Sequence, residues 1–163
     1  MSGLQPPLEQ DRGTGEDAAR RLASYMYAHI PLVAQMQVTV TSSDAQGLRL
    51  TAPLAPNINH ERTAFGGSLA SIMTLACWGY LWLQLEGEPR LHIVVNEAKV
   101  SYLKPVTGAL DTLCLPPPPA ELERFREMLA RRGKARIELA AEVRQGDTLA
   151  ARYLGSFAVY RET

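Results

Sequence analysis

From Leu69 to Leu85 the chain runs without a single charged side chain. A stretch of roughly 17 apolar residues is at the lower edge of what crosses a bilayer. Ser71, Thr74, Gly79 and Gln84 break this one up, so it reads as a helix inside a water-soluble core. It is apolar on nearly every side, through Leu69, Ile72, Met73, Leu75, Trp78, Leu81 and Trp82. A helix of that kind has no face to give to water and must be wrapped.

The flanking segments supply the wrapping. Met36, Val38 and Val40 alternate with Gln37, Thr39 and Thr41, and Leu48, Leu50, Ala52 and Leu54 alternate with Arg49 and Thr51. Period-two patterns of this kind are half-buried strands. Ser43-Asp44-Ala45-Gln46-Gly47 turns one into the other. Further strands are expected over 91–104, 108–115, 134–144 and 148–160, the last two joined by Gln145-Gly146-Asp147. Helices are expected over 16–30, stopped by Pro31, and over 120–132. In the second, Leu122, Phe125 and Leu129 share a side and Gly133 is the cap. The order implies an α+β domain with one antiparallel sheet around the long central helix. The part of that helix the sheet leaves open calls for a second copy, hence a homodimer. A dimer of dimers is left open. Residues 16–163 read as this one domain. Residues 1–15 are polar, rich in Gly, Pro and acids, and read as a disordered tail with no signal-peptide core.

Seventeen basic and seventeen acidic side chains cancel, which speaks against a nucleic-acid partner. No run of like charge suggests a membrane-surface arm. Cys77 and Cys114 sit in no paired motif, the pattern of a reduced, cytoplasmic protein. His29, His60 and His92 show no zinc spacing and no phosphate loop is present, so neither metal nor cofactor is expected.

The chemistry is concentrated in Asn57-x-Asn59-His60-x-x-Thr63-x-Phe65-Gly66-Gly67-Ser68-Leu69. Two glycines opening a helix let another group approach the backbone and leave free N–H donors. The helix dipole adds partial positive charge there. Together they suit an anion or a developing oxyanion. The plainer alternatives stay open. The glycines serve close packing, Asn57 and Asn59 form Asx turns, Ser68 is a first-turn residue, and Thr74 bonds back to its own helix.

This arrangement resembles the hotdog-fold thioesterases. More narrowly, Asn57-x-Asn59, Thr63-x-Phe65-Gly66-Gly67-Ser68-Leu69, Thr74-Leu75-Ala76 and Trp78 are similar to the thioesterase-like domain also found at the C-terminus of some acetyltransferases. Tyr102-x-x-Pro105-Val106 matches the end of the strand that follows the helix in both groups. The resemblance spans residues 26–160. It implies an acyl thioester substrate carried on coenzyme A or an acyl-carrier protein, bound across a dimer seam. It implies that Asn59 holds the water or the thioester and that the Gly67 N–H polarises the carbonyl. Around them Asn57, Thr63, Phe65, Gly66, Ser68, Asn96 and Glu97 would contact substrate.

Two departures matter. Relatives often carry His where this chain has Phe65, and a helix carboxylate where it has Thr74. No acid lies between Glu61 and Glu86. A hydroxyl is no carboxylate base, so Thr74 is expected to orient water. His60, Glu61 or Glu97 would then supply the base, the last from the partner. Lys99, Lys104 and Arg49 are candidates for carrier phosphates. The missing acid also leaves open a hotdog protein that binds acyl thioesters without hydrolysing them, and it argues against a hotdog dehydratase. Gly66-Gly67-Ser68-Leu69-Ala70 is an incomplete nucleophile elbow with only His92 downstream. The acetyltransferase signature fails at Ala130, before Gly133.

Overall fold

The computed structural model describes residues 14–163. Most of the tail expected over 1–15 lies outside the described residues, and Gly15 proves to belong to the first helix. That helix, α1 (Gly15–His29), buries Ala19, Leu22 and Met26 along one side. The strand expected from Met36 starts later. Pro31 does end α1, but it also opens a second helix, α2 (Pro31–Met36), where a missing N–H costs nothing. Gln37 then turns left-handed (φ 57°, ψ 47°) and releases the chain into β1 (Thr39–Asp44). Met36 and Val38 are buried as the alternation implied, yet a helix end and a linker residue bury them.

β2 (Gly47–Thr51) returns antiparallel to β1. A short 3₁₀ turn (Ala55–Asn57) and a loop lead to the central helix α3 (Gly66–Gln84). β3 (Leu91–Tyr102), β4 (Asp111–Cys114), α4 (Pro119–Arg132), β5 (Lys134–Gln145) and β6 (Thr148–Arg161) follow. β3 stops at Tyr102 because the Leu103 and Lys104 N–H groups both donate to the Ala150 carbonyl. β4 starts only at Asp111 because the Leu110 N–H is taken by the Ala52 carbonyl.

The six strands form one sheet in the order β1-β2-β4-β5-β6-β3, with every neighbouring pair antiparallel. The last two strands in sequence therefore lie in its interior, and β3 is left at an edge. Ala135, Ile137, Leu139, Ala141 and Val143 point inward from β5, and Ala151, Tyr153, Phe157 and Val159 do so from β6. They meet Ile72, Met73, Ala76 and Tyr80 of α3 in one core. Phe125 and Leu129 of α4 join it, and Gly133 closes α4 left-handed (φ 68°) with its N–H on the Leu129 carbonyl. Tyr25 of α1 lies 6.0 Å from Trp78 and 5.0 Å from Trp82, ring centre to ring centre, and shields that flank of α3. The helix start, around Phe65 and Ser68, is left open.

Candidate functional site

Residues 57–65 fold into a pinched loop that ends on the first turn of α3. The Phe65 N–H donates to the Asn57 carbonyl and the Asn59 N–H to that of Thr63, each at 2.8 Å. The Ala64 N–H is tied to the carbonyl of buried Val106. Tyr102 donates its hydroxyl hydrogen to the Gly66 carbonyl at 2.9 Å. The Tyr102-x-x-Pro105-Val106 motif thus clamps the helix start, a role its spacing alone did not reveal.

Phe65 stands at the N-cap position and no side chain caps the helix. The N–H groups of Gly66, Gly67 and Ser68 precede the first helical bond, from Leu69 N–H to the Phe65 carbonyl. Unsatisfied donors and the helix dipole favour an anion here. Gly67 leaves room for the Phe65 ring. A Cβ there would lie 2.5 Å from the Phe65 ring, which rests against the glycine. An open cavity of about 360 Å³ adjoins this turn. Gly67, Ser68 and Ser71 form one wall, Phe65 and Asn57 another, and Leu32, Gln35, Met36 and Pro56 the rest.

Of the expected residues, the structure brings Asn57, Phe65, Gly67 and Ser68 together on this cavity, with Gly66 beside them. Asn59 is used within the loop. Its side-chain oxygen accepts the N–H groups of Glu61 (2.8 Å) and Thr63 (3.1 Å), and its NH₂ donates to the Thr63 hydroxyl (2.9 Å). Thr63 is therefore its partner in the same knot. His60 and Glu61 stand in solvent at the loop tip, Nε2 to carboxylate 3.2 Å. Asn96 is the extra residue of a bulge between Val95 and Glu97. Glu97 pairs with Ser156, on the sheet face opposite the one Tyr153 turns to α3. In this chain neither comes to the Gly66–Gly67 turn.

Thr74 lies deeper along α3. Its hydroxyl is 2.9 Å from the Ala70 carbonyl and 3.2 Å from the Tyr153 hydroxyl. A carbonyl only accepts, so Thr74 spends its one proton there and Tyr153 donates to Thr74. Burial pushes the Tyr153 hydroxyl up from its usual value, and Thr74, whose hydroxyl can turn its proton toward an ionised Tyr153, pulls it partly back. Tyr153 was not singled out by the sequence, where it reads as one more core aromatic on a strand.

Comparison with known proteins gives this arrangement its context. A family model described as "Putative thioesterase (yiiD_Cterm)" matches residues 19–161. A protein of unknown function from Chlorobaculum tepidum TLS is 33% identical, with 91% of this chain and 98% of that chain covered and a TM-score of 0.85. A structure described as a "putative thioesterase" from Shewanella oneidensis is also 33% identical, with 90% and 99% covered and a TM-score of 0.76. A Pseudomonas aeruginosa protein at 19% identity shares the fold, with 88% and 96% covered and a TM-score of 0.71. The antiparallel sheet with α3 lying against it is the hotdog fold, and the chain belongs to the family described as "Putative thioesterase (yiiD_Cterm)".

Proposed function

We propose that this protein hydrolyses an acyl thioester carried on coenzyme A or an acyl-carrier protein, at the α3 N-terminus. The observation that carries the reading is the uncapped first turn of α3, whose Gly67 and Ser68 line an open cavity. The thioester carbonyl oxygen sits against these N–H groups. They stabilise the negative charge that develops on it when water adds. The C–S bond then breaks, and the proton that water gives up reaches the leaving thiolate through a base. No base is among the cavity-lining residues, so the proton is carried from outside the lining, and His60, exposed at the tip of the same loop beside Glu61, is the candidate base. Asn59 holds the loop that presents Phe65 and Gly67 to the substrate.

The active unit in this reading is a homodimer. β3 is an edge strand of twelve residues with Val94 and Val95 each 41% exposed. Ile58, Phe65, Tyr102 and Leu103 continue the apolar surface around the helix start. A second copy pairing along β3 covers both and narrows the cavity mouth. A cytoplasmic location accords with two buried, unpaired thiols. Among the described residues no helix is long and apolar enough to cross a membrane.

The test is thiol release from a panel of acyl-coenzyme A substrates, short, long and aryl. Release by the wild type, reduced at least tenfold in kcat/KM by Gly67→Ala in a folded variant, supports the reading, because the new methyl displaces Phe65 and crowds the carbonyl site. Tight binding of acyl-coenzyme A with no release from any member would instead favour a non-catalytic acyl-thioester binder. No carboxylate lines the cavity, which is the observation on that side.

A further inference from the structure

Asn57 is 2% exposed, yet its side-chain oxygen has no partner. Two carbonyls fix the orientation of the amide. Its NH₂ donates to the Met36 carbonyl at 3.0 Å and the Pro53 carbonyl at 2.8 Å. Both can only accept, so a flipped amide would set oxygen against two oxygens. Leaving a buried amide oxygen unpaired costs about 1–3 kcal/mol. Folded proteins keep few such groups, and each calls for a partner. Asn57 lines the same cavity as Gly67 and Ser68. That cavity thus offers donors at the helix start, and one unused acceptor lies buried within its Asn57 wall.

We infer that Asn57 Oδ1 accepts a hydrogen bond from an amide N–H on the carrier arm of the substrate, and so selects thioesters whose thiol bears an amide. The inference rests on the thioesterase reading and says which part of the substrate is recognised. An acyl chain has no donor, and a thioester group has only acceptors. In a pantetheine-type thiol the first N–H lies two methylenes beyond the sulfur, so one ligand spans both halves of the cavity. Gln35 carries the other side-chain amide on the cavity wall, but it is exposed and water satisfies it. Oδ1 is buried, so the arm reaches it only when part of the cavity wall, which includes the 57% exposed Phe65, moves aside.

The test varies the substrate and leaves the protein intact. S-acyl-N-acetylcysteamine is compared with the matching S-acyl-2-acetoxyethanethiol, in which oxygen replaces the N–H. The expected result is a kcat/KM about tenfold or more higher for the amide, because the ester leaves the buried acceptor unpaired. The preference persists in Gln35→Ala and collapses toward unity in Asn57→Ala. Should Asn57→Ala not fold, the substrate pair and the Gln35 variant decide alone. Equal kcat/KM for the two substrates overturns the inference while leaving the thioesterase reading standing. So does a preference that vanishes in Gln35→Ala, or turnover of acyl-coenzyme A with neither short thioester accepted. No turnover of any thioester removes the parent reading and this one with it.

Discussion

The space above Gly155 decides where Tyr153 can lie. A Cβ on Gly155 would stand 2.6 Å from Tyr153 Cε1 and 2.7 Å from its hydroxyl, so the ring is seated over the bare backbone with its hydroxyl delivered to Thr74. Gly155→Ala is expected to drive the ring off and cost about 1–3 kcal/mol as an overpacked core. Urea unfolding measures it, and Thr74→Val, which removes only the hydroxyl partner, should cost less. Arg62 presents the converse case. Its φ of 62° is one that side chains with a Cβ avoid, at roughly 1–2 kcal/mol. Arg62→Gly should leave the melting temperature unchanged or raise it, the strain relieved outweighing the freedom glycine gains in the unfolded chain. A clear fall would mean that the Arg62 side chain has a structural duty in the loop.

At the scale of elements, the start of α3 is held from outside by Tyr102 and Val106, which follow it by a whole strand. The pattern of residues 57–69 announced a helix with an uncapped, glycine-rich opening. It could not announce the clamp, because the clamping groups meet that turn only after β3 has crossed the molecule. The α2 helix stayed hidden for a related reason. Met36 and Val38 are two apart and both buried, which satisfies a strand pattern as well as a helix end followed by a left-handed residue. The long helix was legible from its unbroken apolar run, and the hairpin and the β5–β6 pair from alternating strands joined by turn residues, although the register slips between Val40 and Ser42 and between Val143 and Arg144. In the site, Phe65, Gly67 and Ser68 could be read from their place at a helix start. The loop role of Asn59 and the orphaned oxygen of Asn57 depend on which carbonyls lie within reach, and spacing does not encode that. β3 carries the prediction for this scale. Val95→Lys puts a charge on the exposed edge, where charges block strand pairing. Sedimentation equilibrium should give a dimer mass for the wild type and a shift to monomer for the variant.

Taken whole, the molecule keeps a row of ionisable groups neutral between helix and sheet. Burial pushes the Cys77 thiol well up, and the neighbouring Cys114 adds to it. Burial also raises Tyr80 and Tyr153. A raised pKa in the folded state means that the unfolded chain loses its proton first. The stability these groups contribute is thus fully present below their ordinary values and is lost as pH rises beyond them, toward their folded-state values. Unfolding free energy should be flat near neutrality and decline above about pH 8.5, where a free thiol ionises, then again near 10 for the tyrosines, by up to about 1.4 kcal/mol per pH unit for each group. Cys77→Ala should make the first decline shallower. A slope unchanged in that variant would place the titrating thiol elsewhere.

The order of the sheet also bears on how the protein is made. A ribosome releases β3 long before β6, yet the two are paired from Leu91 with Arg161 to Tyr102 with Ala151. Until β5 and β6 emerge, α3 has no central strands to lie on, and β3 has neither neighbour nor cover. The nascent chain therefore carries its most apolar segment only partly covered for up to about half of its synthesis, the condition under which growing chains aggregate or recruit chaperones. A chain halted before residue 148 would keep the whole helix start and its cavity residues and still have no fold to hold them.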